Sequence, residues 1–128
     1  MEKSGIIKEF VLIIFLLLFA SVLNAAGDDY LAFAQKMPEP ANGMAEIYKN
    51  ITYPRVAQKA GVQGKVFVLC FIDEEGNVND VKVIRGIGAG CDEAAVEAIK
   101  NVKFNPGENE GKPVKVKLSL AIIFKLQW

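Results

Sequence analysis

Few residues in this 128-residue chain are of a type that performs covalent chemistry. There is no histidine, which removes the commonest general base and the commonest metal ligand. The serines are Ser4, Ser21 and Ser119, and the one threonine is Thr52; a serine triad is out of reach. Cys70 and Cys91 are the remaining nucleophiles. Asp73, Glu74 and Glu75 cluster at an expected hairpin tip, where carboxylates are usually just solvated. Gly86-x-Gly88-x-Gly90 stands between a strand pattern and a helix pattern. A dinucleotide fingerprint would need a glycine where Cys91 sits. Asp92 and Glu93 would also repel a phosphate at that helix start. Lys+Arg and Asp+Glu number 15 each, for a net charge of zero, and no basic stripe points to nucleic acid. These residues indicate no catalytic site, cofactor or metal, and no enzyme. What remains is backbone chemistry: the unpaired N–H and C=O groups of a strand edge.

One stretch offers such an edge. In Val114 to Leu126, the even positions Val114, Val116, Leu118, Leu120, Ile122, Phe124 and Leu126 are all apolar. The odd positions are Lys115, Lys117, Ser119, Ala121, Ile123 and Lys125. Side chains alternate faces along a strand, so this reads as one long strand with an oily face and a mostly wet one. At about 3.3 Å per residue it would reach roughly 40 Å. The pattern alone also fits a plain edge guarded by Lys115, Lys117 and Lys125 against aggregation.

Other elements must hold that strand. Pro54 suits the start of a two-turn helix over Arg55 to Ala60, with Val56, Ala57 and Ala60 on one face and Gly61 as its stop. Lys65 to Ile72 is apolar on both faces, as a central strand would be. Asp73 to Asn77 is a hairpin loop, with Gly76 able to take a positive φ. Val78 to Arg85 returns, and Val78 and Val81 are out of phase, which predicts a bulge or an early irregular pair. A helix follows from Asp92 to about Val102, with Ala95, Ala98, Ile99 and Val102 inward. The fold class is α+β: a three-stranded antiparallel sheet with two helices on one face, in the order α-β-β-α-β. Arg85 should lie opposite the start of the central strand, near Lys65, and Cys70 is five residues further along, roughly 16 Å away. Bridged cysteines need Cα atoms within about 7 Å, so Cys91 could reach Cys70 only if the intervening loop folds back. Pairing of the two stays open.

The N-terminus reads as an address. Lys3 and Lys8 precede an apolar run from Phe10 to Ala20, and Asn24-Ala25-Ala26-Gly27 supplies small residues. That layout suits a cleaved secretory signal over residues 1–26, with an uncleaved short anchor over residues 6–23 as the alternative. Either way the remainder is expected outside the cytoplasm. Residues 27–49 form a lead-in with a short helix at Gly43 to Lys49, and residues 50–126 form the compact domain. Trp128 reads as a loose surface aromatic.

Several pieces in order resemble the C-terminal domain of TonB-type energy transducers. They are Tyr53-Pro54, Ala57, Gly64-Lys65-Val66, Phe71-Ile72-Asp73 with Gly76-Asn77-Val78, and Val81-Lys82-Val83. Cys91-Asp92-Glu93-Ala94-Ala95, Lys103-Phe104-Asn105-Pro106-Gly107, Gly111-Lys112-Pro113-Val114 and Phe124-Lys125-Leu126 complete the set. The resemblance covers Asn50 to Leu126. It implies a periplasmic, non-catalytic domain that grips an extended N-terminal peptide of a TonB-dependent outer-membrane receptor in energy-coupled transport. The peptide would add beside the last strand, at about Val114 to Lys125, by β-augmentation. Asn50, Ile51 and Thr52 form a second candidate contact. Inner-membrane motor proteins, and a second copy pairing edge to edge, are the further partners implied. No metal, nucleotide or cofactor is. This chain departs from the family in having no histidine and no long proline-rich spacer. Those departures keep open an accessory envelope module of the same fold that does not transduce energy.

Overall fold

The computed structural model describes residues 29–126. The expected signal or anchor segment and Trp128 lie outside them. In chain order the elements are β1 (Glu39–Pro40), α1 (Met44–Lys49), α2 (Arg55–Ala60), β2 (Gly64–Ile72), β3 (Val78–Arg85), α3 (Cys91–Lys100), β4 (Phe104–Asn105), β5 (Gly107–Asn109), β6 (Lys112–Val114) and β7 (Val116–Phe124). The main sheet has the order β3-β2-β7 and is antiparallel throughout. The expected α+β architecture and the central place of β2 are both observed.

Burial explains the layering. Val66, Val68, Cys70 and Ile72 of β2 are fully buried on one face of the sheet. Ile122 and Phe124 of β7 and Val81 of β3 join them. Cys91, Ala95, Ala98 and Ile99 of α3 cover that face from above. This is the inner stripe expected of the helix, begun one residue earlier. Phe104 leaves the helix and fills the core at 1% exposure. On the hairpin, Gly76 has φ 84°, and a Cβ there would lie 1.9 Å from the Phe104 carbonyl oxygen. Only glycine lets the hairpin tip approach Phe104 this closely. The bulge expected in β3 is present: Phe71 pairs with Asp80 and Ile72 with Val78, leaving Asn79 unmatched.

Two expectations need correction. The last strand is not continuous from Val114 to Leu126. Val114 belongs to the small β5–β6 hairpin, Lys115 separates the two strands, and β7 ends at Phe124. Val56 does not face the core; it is 69% exposed, and Ala57 is the residue that α2 buries. A two-turn helix buries a narrow stripe, and here that stripe passes through Ala57. The short helix expected in the lead-in is present as α1, and its Ile47 is fully buried in the same core. The lead-in is zipped along the later chain as well. Lys36 pairs with Glu108, and Glu39 and Pro40 pair with Asn105 and Phe104.

A candidate docking edge on the last strand

The register places β7 beside β2 from Gly64 opposite Phe124 to Ile72 opposite Val116. No third strand covers its far side among the described residues. Backbone groups along a strand point alternately to its two neighbours. Two hydrogen bonds fix which residues of β7 point outward. The Lys117 N–H donates to the Leu31 carbonyl at 2.8 Å. The Ile123 N–H donates to the Tyr48 hydroxyl at 3.1 Å. Both partners lie away from β2, so the odd residues turn their backbone outward. Ser119 and Ala121 share that parity, and among the described residues nothing pairs with their N–H and C=O groups. They form the open centre of the edge.

The C-terminal end of β7 is held firmly. The Tyr53 ring stands edge-on to Phe124, with centroids 5.4 Å apart at 90°. The Tyr53 hydroxyl donates to the Val62 carbonyl, which ties the Tyr53-Pro54 turn to the approach of β2. Beyond the strand, the Leu126 N–H donates to Gln63 Oε1 at 2.8 Å.

The outer face of the sheet flanks the open centre with two apolar hollows. One, of about 500 Å³, is lined by Phe33, Met37, Leu69 and Ser119 among others. The second, of about 480 Å³, is lined by Phe67, Ile84, Leu120 and Ala121 among others. Phe33 is 84% exposed and Ile84 60% exposed. An extended segment laid against β7 would direct every second side chain toward these surfaces.

Groups of more reactive type do not converge on this edge. Cys70 and Cys91 are free and buried. Burial pushes the Cys70 thiol up to about 12. Burial also raises Cys91, and the neighbouring Asp92 and Glu93 carboxylates raise it further. Both thiols therefore stay protonated and poorly nucleophilic. The glycine-rich loop cradles a group of its own chain: Asp92 Oδ1 accepts from the Ile87 N–H at 2.9 Å and the Gly88 N–H at 3.3 Å. A Cβ at Gly86 would lie 2.1 Å from Asp92 Oδ2, so the glycine makes room for that carboxylate, and the Ile87 and Gly88 amides are occupied by it. Among the described residues, no three His, Cys, Asp or Glu side chains gather as metal ligands would.

The family described as Gram-negative bacterial TonB protein C-terminal matches residues 49–126. The chain belongs to the TonB C-terminal family. Protein TonB of Vibrio cholerae is 37% identical over 76 residues, covering 59% of this chain and 31% of that protein. Protein TonB of Pseudomonas aeruginosa is 30% identical over 76 residues, 59% of this chain and 22% of that one. The chain thus matches a third or less of the length of these relatives. Among solved structures, the Helicobacter pylori TonB C-terminal domain (residues 194–285) aligns with TM-score 0.52 and 30% identity, covering 64% of this chain and 87% of that one. The Pseudomonas aeruginosa TonB C-terminal domain aligns with TM-score 0.50 and 29% identity, covering 61% and 80%.

Within this TonB C-terminal domain, the structure brings Val116 to Phe124 onto one edge strand. Val114 and Lys125 flank it, and Lys115 is the joint before it. Asn50, Ile51 and Thr52 form no strand; Asn50 closes α1, with its Nδ2 donating to the Glu46 carbonyl at 2.9 Å. Sequence reasoning missed Tyr48, whose hydroxyl reaches the edge from α1, and Leu31, which pairs with it. It also missed the outer-face hollows, although the second apolar face of β2 at Phe67 and Leu69 was a visible sign of them.

Proposed function

We propose that this domain works in the periplasm and docks an extended N-terminal peptide of a TonB-dependent outer-membrane receptor along β7, as part of energy-coupled transport. Family membership supports the class of partner. The observation that carries the mode is the outward-turned, unpaired backbone of Ser119 and Ala121 on an edge strand. Each N–H and C=O there can take one partner group from an added strand, and the hollows beside Ser119 select apolar side chains. The domain binds and does no covalent chemistry. Inner-membrane motor proteins would act through the segment ahead of Asp29, outside the edge.

NMR titration of the chain with receptor N-terminal peptides tests this. Shifts centred on Lys117 to Ile123 are expected. Saturating peptide that leaves Val114 to Lys125 unmoved refutes it. Ultracentrifugation in the same buffer tests whether a second copy takes the edge instead.

A further inference from the structure

The docking edge already holds a short piece of strand, supplied by the chain itself. The Leu31 N–H donates to the Lys115 carbonyl at 2.8 Å, and the Leu31 carbonyl accepts the Lys117 N–H at 2.8 Å. Leu31 thereby lies opposite Val116 in parallel pairing. Its neighbours reinforce the contact. The Tyr30 ring stands edge-on to Phe71 at 5.1 Å and 86°. The Tyr30 hydroxyl accepts from Asn79 Nδ2 at 2.8 Å. Lys115 Nζ sits 3.6 Å from Asp29 Oδ2 and 5.7 Å from the Tyr30 ring centroid.

We propose that Asp29–Leu31 is an intramolecular strand clip that competes with the partner peptide for β7. The inference rests on β7 being the docking edge. Its core is steric and stoichiometric. The Lys117 N–H has one hydrogen to give, and Leu31 takes it. Leu31 also fills the lane an added strand would occupy beside Val116. With the clip closed, the open window is Ser119 to Ala121, enough for a peptide of about three residues. A peptide that engages the whole edge must first displace Leu31.

The clip is built to open. Two backbone bonds, one side-chain hydrogen bond, one aromatic contact, one cation–ring contact and one exposed ion pair oppose the entropy of ordering three residues. The rest of the lead-in has its own anchors. The Gln35 N–H donates to Asn109 Oδ1 at 2.8 Å, the Lys36 and Glu108 backbones exchange bonds at 3.0 and 2.9 Å, and Ile47 is buried. Release of Leu31 therefore leaves the sheet and its core in place.

Two variants of the full chain test the clip. Leu31→Pro deletes the donor to the Lys115 carbonyl, and Tyr30→Ala removes the ring from Phe71. Receptor peptide should bind both about five- to twentyfold tighter, as expected when a competent state goes from rare to dominant. In the unmodified chain, the Lys117 amide should exchange more slowly than those of Ser119 and Ala121. Both variants should lose that difference. Equal peptide affinity in all three forms, or fast Lys117 exchange in the unmodified chain, overturns the clip while docking stands. Failure of every form to bind peptide overturns the docking reading, and the competition with it.

Discussion

Replacing Ser119 by proline separates the two sides of β7. The Ser119 N–H points away from β2, by the parity that Lys117 and Ile123 establish. Proline there removes no bond of the β2–β7 ladder, which suits its tolerance on sheet edges. The fold should keep its stability to within about 1–2 kcal/mol, the cost of forcing φ toward proline's value. Docking should suffer instead. One backbone bond to the peptide is lost, worth about 0.5–1.5 kcal/mol net, and the ring prevents close approach of the strand. A total of about 1–3 kcal/mol corresponds to roughly a 5- to 150-fold weaker Kd. The control is Leu120→Pro, one residue along. Leu120 lies opposite Val68 with its N–H turned inward, so proline there leaves a buried carbonyl unpaired, at about 1–3 kcal/mol for that group alone. Its ring also clashes with the ladder. Urea denaturation and peptide calorimetry on both variants decide the matter. Equal destabilisation by the two prolines, or undiminished peptide binding by folded Ser119→Pro, refutes the assigned parity and the use of this edge.

Ile47→Ala should cost about 2–5 kcal/mol by urea denaturation, because it empties a fully buried site, whereas Val56→Ala should stay within about 0.5 kcal/mol at its exposed position. Similar losses from the two would refute the assignment of α1 to the core. Burial tends to raise the Asp73 carboxyl, but the backbone N–H groups of Asn77 and Glu75, with the Asn79 and Asn77 side chains, outweigh it and hold the carboxyl below its ordinary value. A depressed folded value stabilises above about pH 4 and is lost as pH falls through it. Unfolding midpoints measured from pH 6 down to pH 2 should therefore fall less steeply in Asp73→Asn; an unchanged slope would count against the loop geometry. With Cys70 pushed up to about 12, its thiolate is about one part in ten thousand at pH 8. Iodoacetamide should label the native chain only at the rate of opening, and labelling as fast as in urea would refute that burial.

Patterns that depend on side chains were readable from the residues. Both faces of β2 are apolar because both are covered, in part, by other groups. The small residues Ala95 and Ala98 marked the side of α3 that meets the sheet. The misfit of Val78 and Val81 announced the bulge. Backbone pairing leaves no such trace. Alternation of apolar and polar residues runs unbroken through Val114, Lys115 and Val116, yet the strand divides there. What divides it is the return of β6 onto β5 and the capture of Lys115 and Lys117 by Leu31. Those are hydrogen bonds between groups that every residue carries. The same is true of the edge itself: Ser119 and Ala121 are ordinary residues placed where their amides face outward. Tyr48 illustrates a third case, since a tyrosine on a short helix gives no sign that its hydroxyl will meet Ile123.

The attachments of the lead-in also stand in a mechanical order. A tug ahead of Asp29 reaches Leu31 first, then Gln35 and Lys36, then Glu39 and Pro40, and Ile47 only after these. Each station bears the load alone until it yields. The β2–β7 ladder is arranged differently: its bonds lie across the strand axis, and a pull along β7 loads them all at once from Gly64 to Ile72. Tension ahead of Asp29 would therefore load Leu31 before any bond of the β2–β7 ladder. The strand beneath Leu31 would resist as a single unit, which is the mechanical property that the proposed docking requires of it.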